Sequence, residues 1–228
     1  MAVNKNNYHS ILEELGSDVQ LIAVSKMRTA AEIMELYELG QRDFGENYVQ
    51  ELLEKQSALP ADIRWHFIGH LQTNKVKFIA PFVHLIHGVD SLKLLQEINK
   101  QGKKLDRVLH CLLQVHIATE ETKFGLDADE LKQLINVVSA ADANFTNIFL
   151  DGLMGMASFC DDSRIVESEF ISLQQLFMEY KFHTATNTRF TILSMGMSGD
   201  FKTAITHGST MVRIGSLLFG SRVYSRKD

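Results

Sequence analysis

The feature that most constrains this chain is a regular alternation. Short apolar runs and amphipathic stretches take turns along nearly all of its 228 residues. Runs near 21–24, 42–44, 65–68, 83–87, 109–115, 146–150, 190–193 and 211–214 are brief and rich in branched or aromatic residues, so they read as buried strands. Between them, Ala30-Ile33-Met34-Tyr37, Leu92-Leu95-Ile98, Leu131-Leu134-Ile135-Val138 and Phe170-Leu173-Leu176-Phe177 recur at helical spacing. Eight strand-then-helix repeats predict an α/β fold: a single (β/α)8 TIM barrel spanning 1–228, with an extra N-terminal helix over 2–15. The competing fold is an open, doubly wound sheet. That fold carries a glycine-rich loop after its first strand, and here the loop reads SKMRT, with no glycine. The only two prolines, Pro60 and Pro81, fall at loop positions, and no linker or repeat divides the chain.

In a barrel of this kind, chemistry sits at the carboxyl ends of the strands. Polar and small residues collect there: Ser25-Lys26, Gly45-Glu46-Asn47, Gly69-His70 through Asn74, Gly88-Val89-Asp90-Ser91, Gly152-Leu153-Met154-Gly155, Ser194 through Asp200, and Arg213-Ile214-Gly215-Ser216. Lys26 follows the apolar run Leu21-Ile22-Ala23-Val24. A lysine at a buried strand end feels desolvation, which lowers its pKa and frees the amine as a nucleophile, the setting a Schiff-base lysine requires. The loops SMGMSGD and RIGS each precede a helical segment, 200–206 and 217–224, and their small residues suit a phosphate cradle. Arg213 lies inside the strand Met211-Val212-Arg213-Ile214, so a permanent charge needs a partner. That partner is either a strand-end acid, Asp90 or Asp151, or a ring nitrogen of a cofactor. Lysine, phosphate cradle and ring-nitrogen partner together describe a pyridoxal phosphate (PLP) site.

The segments AVSK (23–26), GQRDFGENYVQE (40–51), WHFIGHLQTNK (65–75), VDSLKL (89–94), ETKFGL (121–126), GLM (152–154), SMGMSGDFKTAI (194–205) and GSTMVRIGSLLFGSR (208–222) run in order over almost the whole chain. In these segments the sequence resembles the PLP homeostasis protein family, whose fold is close to the N-terminal barrel of alanine racemase. The resemblance implies Lys26 as the internal aldimine and Asn47 near the ring substituents. It also implies Ser198, Gly215 and Ser216 at the phosphate, and Arg213 opposite the pyridine nitrogen. The chain departs from the family where no proline follows SKMR and where His116 stands for an expected asparagine.

An arginine facing the ring nitrogen disfavours its protonation and so weakens the ring as an electron sink. In the two-domain racemases the opposite base is a tyrosine from a further domain and a dimer partner, as the family comparison implies, and here the chain ends at Asp228, where the barrel would close. A PLP carrier or regulator without catalytic residues is therefore expected ahead of a racemase-like enzyme, with a cofactor-free lysine aldolase third. Apo PLP-dependent enzymes are the expected partners and a monomer the expected state. A net charge of −5 with no basic block argues against nucleic acid or membrane surfaces. MAVNKNNYHS has no apolar signal core and no run reaches membrane length, which points to a cytoplasmic protein. Cys111 and Cys160 are expected as buried free thiols. His66 with His70, and His84 with His87, have spacings that do not suit one metal ion on a strand, so no metal is expected. His207 is expected to cap or pack beside Gly208. Met154, Met156, Met195 and Met197 read as packing residues, and Glu120, Glu121 and Lys123 as a solvated loop face.

Overall fold

The structure is a computed structural model that describes residues 3–120, 124–140 and 144–220. Eight parallel strands close into a barrel: β1 (Gln20–Val24), β2 (Asp43–Glu46), β3 (Arg64–Phe67), β4 (Leu85–Val89), β5 (Leu109–Val115), β6 (Ile148–Gly155), β8 (Thr188–Ser194) and β9 (Met211–Ile214). The seam is β1 against β9, where Gln20 pairs with Met211 and Ala23 with Ile214. A two-residue strand, β7 (Thr184–Ala185), runs antiparallel to β8 and was not expected.

Helices α2 (Ala30–Glu38), α3 (Val49–Ala58), α4 (Val76–Ile79), α5 (Leu92–Leu105), α6 (Ala128–Ser139), α7 (Ser163–Tyr180) and α8 (Phe201–Thr206) fill the crossovers. Their starts are chemically marked. Thr29 and Glu32 form a reciprocal capping box on α2, as do Asp127 and Glu130 on α6. The N-terminal helix α1 (Lys5–Leu15) and the last helix α9 (Ser216–Phe219) hold each other: the Asn4 backbone N–H donates to the Leu218 carbonyl at 2.8 Å, and Asn7 Nδ2 to the Leu217 carbonyl at 3.0 Å.

The apolar interior has two parts. The larger lies between strands and helices, with Phe44, Leu52, Ile98, Leu131, Ile135, Phe170 and Leu173 fully buried. The smaller fills the barrel itself, with Ile22, Leu85, Leu112, Met154 and Met211. The rest of the barrel interior is polar: His66, His87 and Ser194 are buried there.

Three expectations need correction. Gly152-Leu153-Met154-Gly155 belongs to β6 rather than to the loop after it. A register shift between Leu150 and Gly152 lets the strand continue beside β8, and a Cβ at Gly152 would lie 1.8 Å from the Ile192 carbonyl oxygen, so only glycine permits that approach. The helix placed over 217–224 spans Ser216–Phe219 and stops at Gly220, whose φ of +77° ends it; 221–224 lie outside the described residues. Of the two thiols, Cys111 is buried but Cys160 is exposed. Residues 121–123 of ETKFGL, with Glu121 and Lys123, and residues 221–222 of the last matching segment also lie outside the described residues. Among the described residues, no helix is long and apolar enough to cross a membrane.

Candidate functional site

The strand ends converge on one cleft of about 540 Å³ at the carboxyl end of the barrel. Lys26, Asn47, Ser198, Arg213, Gly215 and Ser216 all line it. Lys26 stands just past β1, Asn47 just past β2, Ser198 in the loop after β8, and Gly215 and Ser216 directly after Arg213's strand, β9. Val24, Ile68, Met156, Met197 and Phe159 give the cleft an apolar wall, so two of the four methionines read as packing face this space.

Arg213 is buried beneath the cleft. Its Nη1 donates to Ser194 Oγ at 2.7 Å and its Nη2 to the Gly155 carbonyl at 2.9 Å. The two acids weighed as its neutralisers are taken elsewhere: Asp90 by His70 at 3.1 Å and Asp151 by His110 at 2.8 Å. Burial draws the guanidinium down to about 10, against the pull of Asp200, so it stays charged at neutral pH. Among the described residues its hydrogen-bond acceptors are neutral, and such a buried cation is prepared for a polar or anionic ligand.

The loops after β8 and β9 meet where expected. Gly215 N–H donates to Ser198 Oγ at 3.3 Å, and Met197 N–H to Asp200 Oδ1 at 2.5 Å. Gly196 has a φ of +97°, and a Cβ there would lie 2.6 Å from the Ala204 Cβ, so it lets the loop lie on α8. With only six residues in α8 and four in α9, local N–H and hydroxyl groups count for more here than any helix dipole. Asn47 Oδ1 is buried without a hydrogen-bond partner among the described residues, which marks that wall as made for something polar. The residues present therefore fit a phosphorylated aldehyde with a basic ring nitrogen.

Sequence reasoning missed the support behind Lys26. Lys55, on α3, is buried, and its ammonium donates to the Ser25 carbonyl at 2.6 Å, Glu46 Oε1 at 2.7 Å and Glu51 Oε1 at 2.6 Å. Glu51 also accepts from Met27 N–H, and Ser25 Oγ donates to Glu46 at 2.5 Å. The backbone is thus gripped on both sides of Lys26, and Met27 is held at a φ of +60°. Burial pushes the Glu46 carboxyl up, opposed by Lys55. Lys55 lies four residues after Glu51 and three after the buried Leu52, and the docking of α3 on the barrel turns that face inward.

Two histidine expectations look different in three dimensions. His70 is exposed and stacks on Phe124, whereas His66 is enclosed in the barrel and lies 3.0 Å from His87. His66, His84 and Asp43 come within 4.8 Å of one another, a spacing compatible with a metal. Arg64 closes that cluster, donating to Asp43 Oδ1 at 2.7 Å and Oδ2 at 2.5 Å, so a cation would have to displace a guanidinium. His116 Nε2 donates locally to the Glu120 carbonyl at 2.9 Å, and His207 caps α8 and meets Glu167 at 3.1 Å.

Fold and lysine-bearing cleft define a class, the barrel of the family described as "Alanine racemase, N-terminal domain", which matches residues 3–223. Within that class the chain belongs to the pyridoxal phosphate homeostasis protein family. It is 42% identical to the human pyridoxal phosphate homeostasis protein over 218 residues, covering 91% of this chain and 78% of that one. It is 40% identical to the Aquifex aeolicus protein of the same name, covering 90% and 88%. Among solved structures, PipY of Synechococcus elongatus with PLP bound superposes with a TM-score of 0.85 at 35% identity, covering 94% of this chain and 99% of that one. The alanine racemase of Bartonella henselae, at 17% identity and a TM-score of 0.70, covers 92% of this chain and 56% of its own, and shares the fold.

Proposed function

We propose that this protein holds pyridoxal 5'-phosphate covalently through Lys26 and serves its intracellular homeostasis, with little or no turnover. The observation that carries this reading is that Lys26, Arg213 and the Ser198–Gly215–Ser216 loops share one cleft at the carboxyl end of the barrel. The names of its relatives and the PLP-bound PipY support the same reading.

When bound, the cofactor supplies an aldehyde that condenses with a primary amine and a ring that can withdraw electrons from the adduct. Lys26 would provide the primary amine that holds the aldehyde carbon. Ser198, Gly215 and Ser216 receive the phosphate through hydroxyl and backbone N–H groups. Asn47 turns its unpartnered oxygen to the ring substituents. Arg213 would face the ring nitrogen as a donor from the floor of the cleft. A fixed cation there opposes protonation of that nitrogen, since two positive charges would meet in a dry site. The neutral ring is then a weak electron sink, which favours a carrier over an enzyme. Lys26 would serve one face of an amino-acid Cα; on the cleft wall Asp200 is committed to Met197 N–H. Apo PLP-dependent enzymes are the proposed recipients, in the cytoplasm, and the protein acts as a monomer.

Borohydride reduction followed by peptide mass spectrometry tests the covalent reading. A pyridoxyl adduct on Lys26 is expected, and an adduct on Lys75 or Lys202 instead, or none, overturns it. Turnover of D- or L-amino acids at about 1 s⁻¹ or faster would replace the carrier with a racemase-like enzyme.

A further inference from the structure

A chain of hydrogen bonds crosses the barrel interior from the cleft to the amino-terminal ends of the strands. Arg213 Nη1 donates to Ser194 Oγ at 2.7 Å. Ser194 Oγ lies 3.3 Å from His87 Nδ1, and His87 Nε2 lies 3.0 Å from His66 Nδ1. His66 Nε2 lies 3.0 Å from Asp43 Oδ1. All five side chains are buried, and each comes from a different strand: β9, β8, β4, β3 and β2.

The chemistry of the two ends sets the direction of every bond. Asp43 accepts from Arg64 through both oxygens, so it can only accept from His66 as well. His66 Nε2 therefore carries a proton. A neutral His66 then has Nδ1 free to accept, which places the His87 proton on Nε2. His87 Nδ1 accepts in turn from the Ser194 hydroxyl, leaving the Ser194 oxygen to accept from Arg213. The reverse order requires an imidazolium at His66, placed between the guanidinium groups of Arg64 and Arg213 among side chains buried from solvent. Burial already holds both rings neutral, and Arg213 reinforces this at His87. His84, edge-on to His66 with ring centroids 5.2 Å apart, adds no countercharge.

We propose that Asp43, His66, His87 and Ser194 are positioning residues: a one-way relay in which the carboxylate at one end of the barrel fixes two imidazole tautomers and a hydroxyl, and thereby holds the Arg213 guanidinium as a donor at the floor of the cleft. That Arg213 then meets the cofactor ring rests on the function proposed above. The relay itself concerns the cofactor-free chain. It explains why a barrel with an otherwise aliphatic filling keeps four polar side chains in line: an arginine on a strand has many rotamers, and a ligand contact needs one.

The test is nuclear magnetic resonance on the cofactor-free protein with isotope-labelled histidine and arginine. In the native chain both imidazoles are expected to be neutral with the proton on Nε2, and the Arg213 Nη groups to give separate signals from hindered rotation. A proton on Nδ1 of either ring, or a doubly protonated ring, overturns the relay. Control should run one way. His66→Phe is expected to erase the tautomer preference of His87 and merge the Arg213 signals, while His87→Phe leaves His66 protonated on Nε2. If His87 keeps its tautomer and Arg213 its separate signals in His66→Phe, the proposal fails. Should neither variant fold, the native tautomers and the native Arg213 signals still decide it. No cofactor enters these measurements, so their failure is separate from failure of the covalent reading, which the borohydride experiment settles.

Discussion

Lys26, the residue proposed to hold the cofactor, depends for its placement on side chains other than its own. Its stem stands at the rim of the barrel, while Lys55 and Glu51 hold the peptide groups around it. Two substitutions separate these roles. Lys26→Ala should remove the imine and its visible absorbance, with the far-ultraviolet circular dichroism unchanged, because a lysine at a rim contributes little to the core. Lys55→Met should do the opposite kind of damage. It leaves the fully buried Glu46 without its counterion, at a cost of about 3 kcal/mol; urea unfolding measures the loss, and a change under about 1 kcal/mol would mean the cluster matters little to stability. Arg213→Glu places an acid at the floor of the cleft, where the ring is proposed to lie. It should favour a protonated ring nitrogen and shift the bound spectrum; an unchanged spectrum would remove Arg213 from the ring. Lys26 and Arg213 could be picked from the sequence because a charge beside an apolar run is conspicuous. Lys55 could not, because a lysine on an amphipathic helix looks like any solvated one until the fold turns its face inward.

At the scale of elements, the strand β6 is the instructive case. Its apolar start is visible as a run, but its second half, Gly152–Gly155, has the composition of a loop. Whether a glycine is a turn or the meeting point of two strands depends on the neighbour it meets, and Ile192 of β8 is forty residues away in the chain. Gly152→Ala should therefore be among the most damaging one-carbon changes possible here: its Cβ would fall inside the van der Waals shell of the Ile192 oxygen, and a loss of roughly 3 kcal/mol or more is expected from the forced separation of β6 and β8. Soluble protein with an unchanged melting temperature would contradict that placement. Helices α2 and α6 were legible from the apolar spacing of Ala30-Ile33-Met34-Tyr37 and Leu131-Leu134-Ile135-Val138, and in the structure the Thr29–Glu32 and Asp127–Glu130 boxes fix their starts. The short α9 was overextended because its stop depends on the backbone conformation of Gly220, which a run of Leu-Leu-Phe does not reveal.

For the whole molecule, the polar barrel interior makes stability depend on pH. Burial lowers His66 and His87 in the barrel below the ordinary histidine value of 6.5, and His84, on the exposed side of that cluster, is lowered by partial desolvation and by its neighbour His66. Burial would raise Asp43, but hydrogen bonds from His66 and Arg64 outweigh it and hold that carboxyl far below its usual 3.8. The unfolded chain binds protons that the folded one refuses, so stability is full above about pH 6.5, falls as the pH drops below it, and falls faster below about pH 4, when unfolded Asp43 also protonates. His110, raised by Asp151, and Glu46, raised by burial, oppose this as single groups against three histidines. The urea midpoint should drop between pH 7 and pH 5, and a flat or rising midpoint would place protons on the barrel histidines in the native state.

The chain's own pattern was enough to settle the order of the eight barrel strands, the closed barrel they imply, and the end of it where Lys26, Asn47, Ser198, Arg213, Gly215 and Ser216 collect. Each of those follows from local periodicity and from the rule that parallel strands present their carboxyl ends together. What only the tertiary structure decided is which polar residues face one another across the barrel. His66 and His87 are 21 residues apart, and Arg213 stands 19 residues beyond Ser194. Strand alternation tells which residues point inward, but closure and register decide which inward residues touch. No local signal in the chain carries that information.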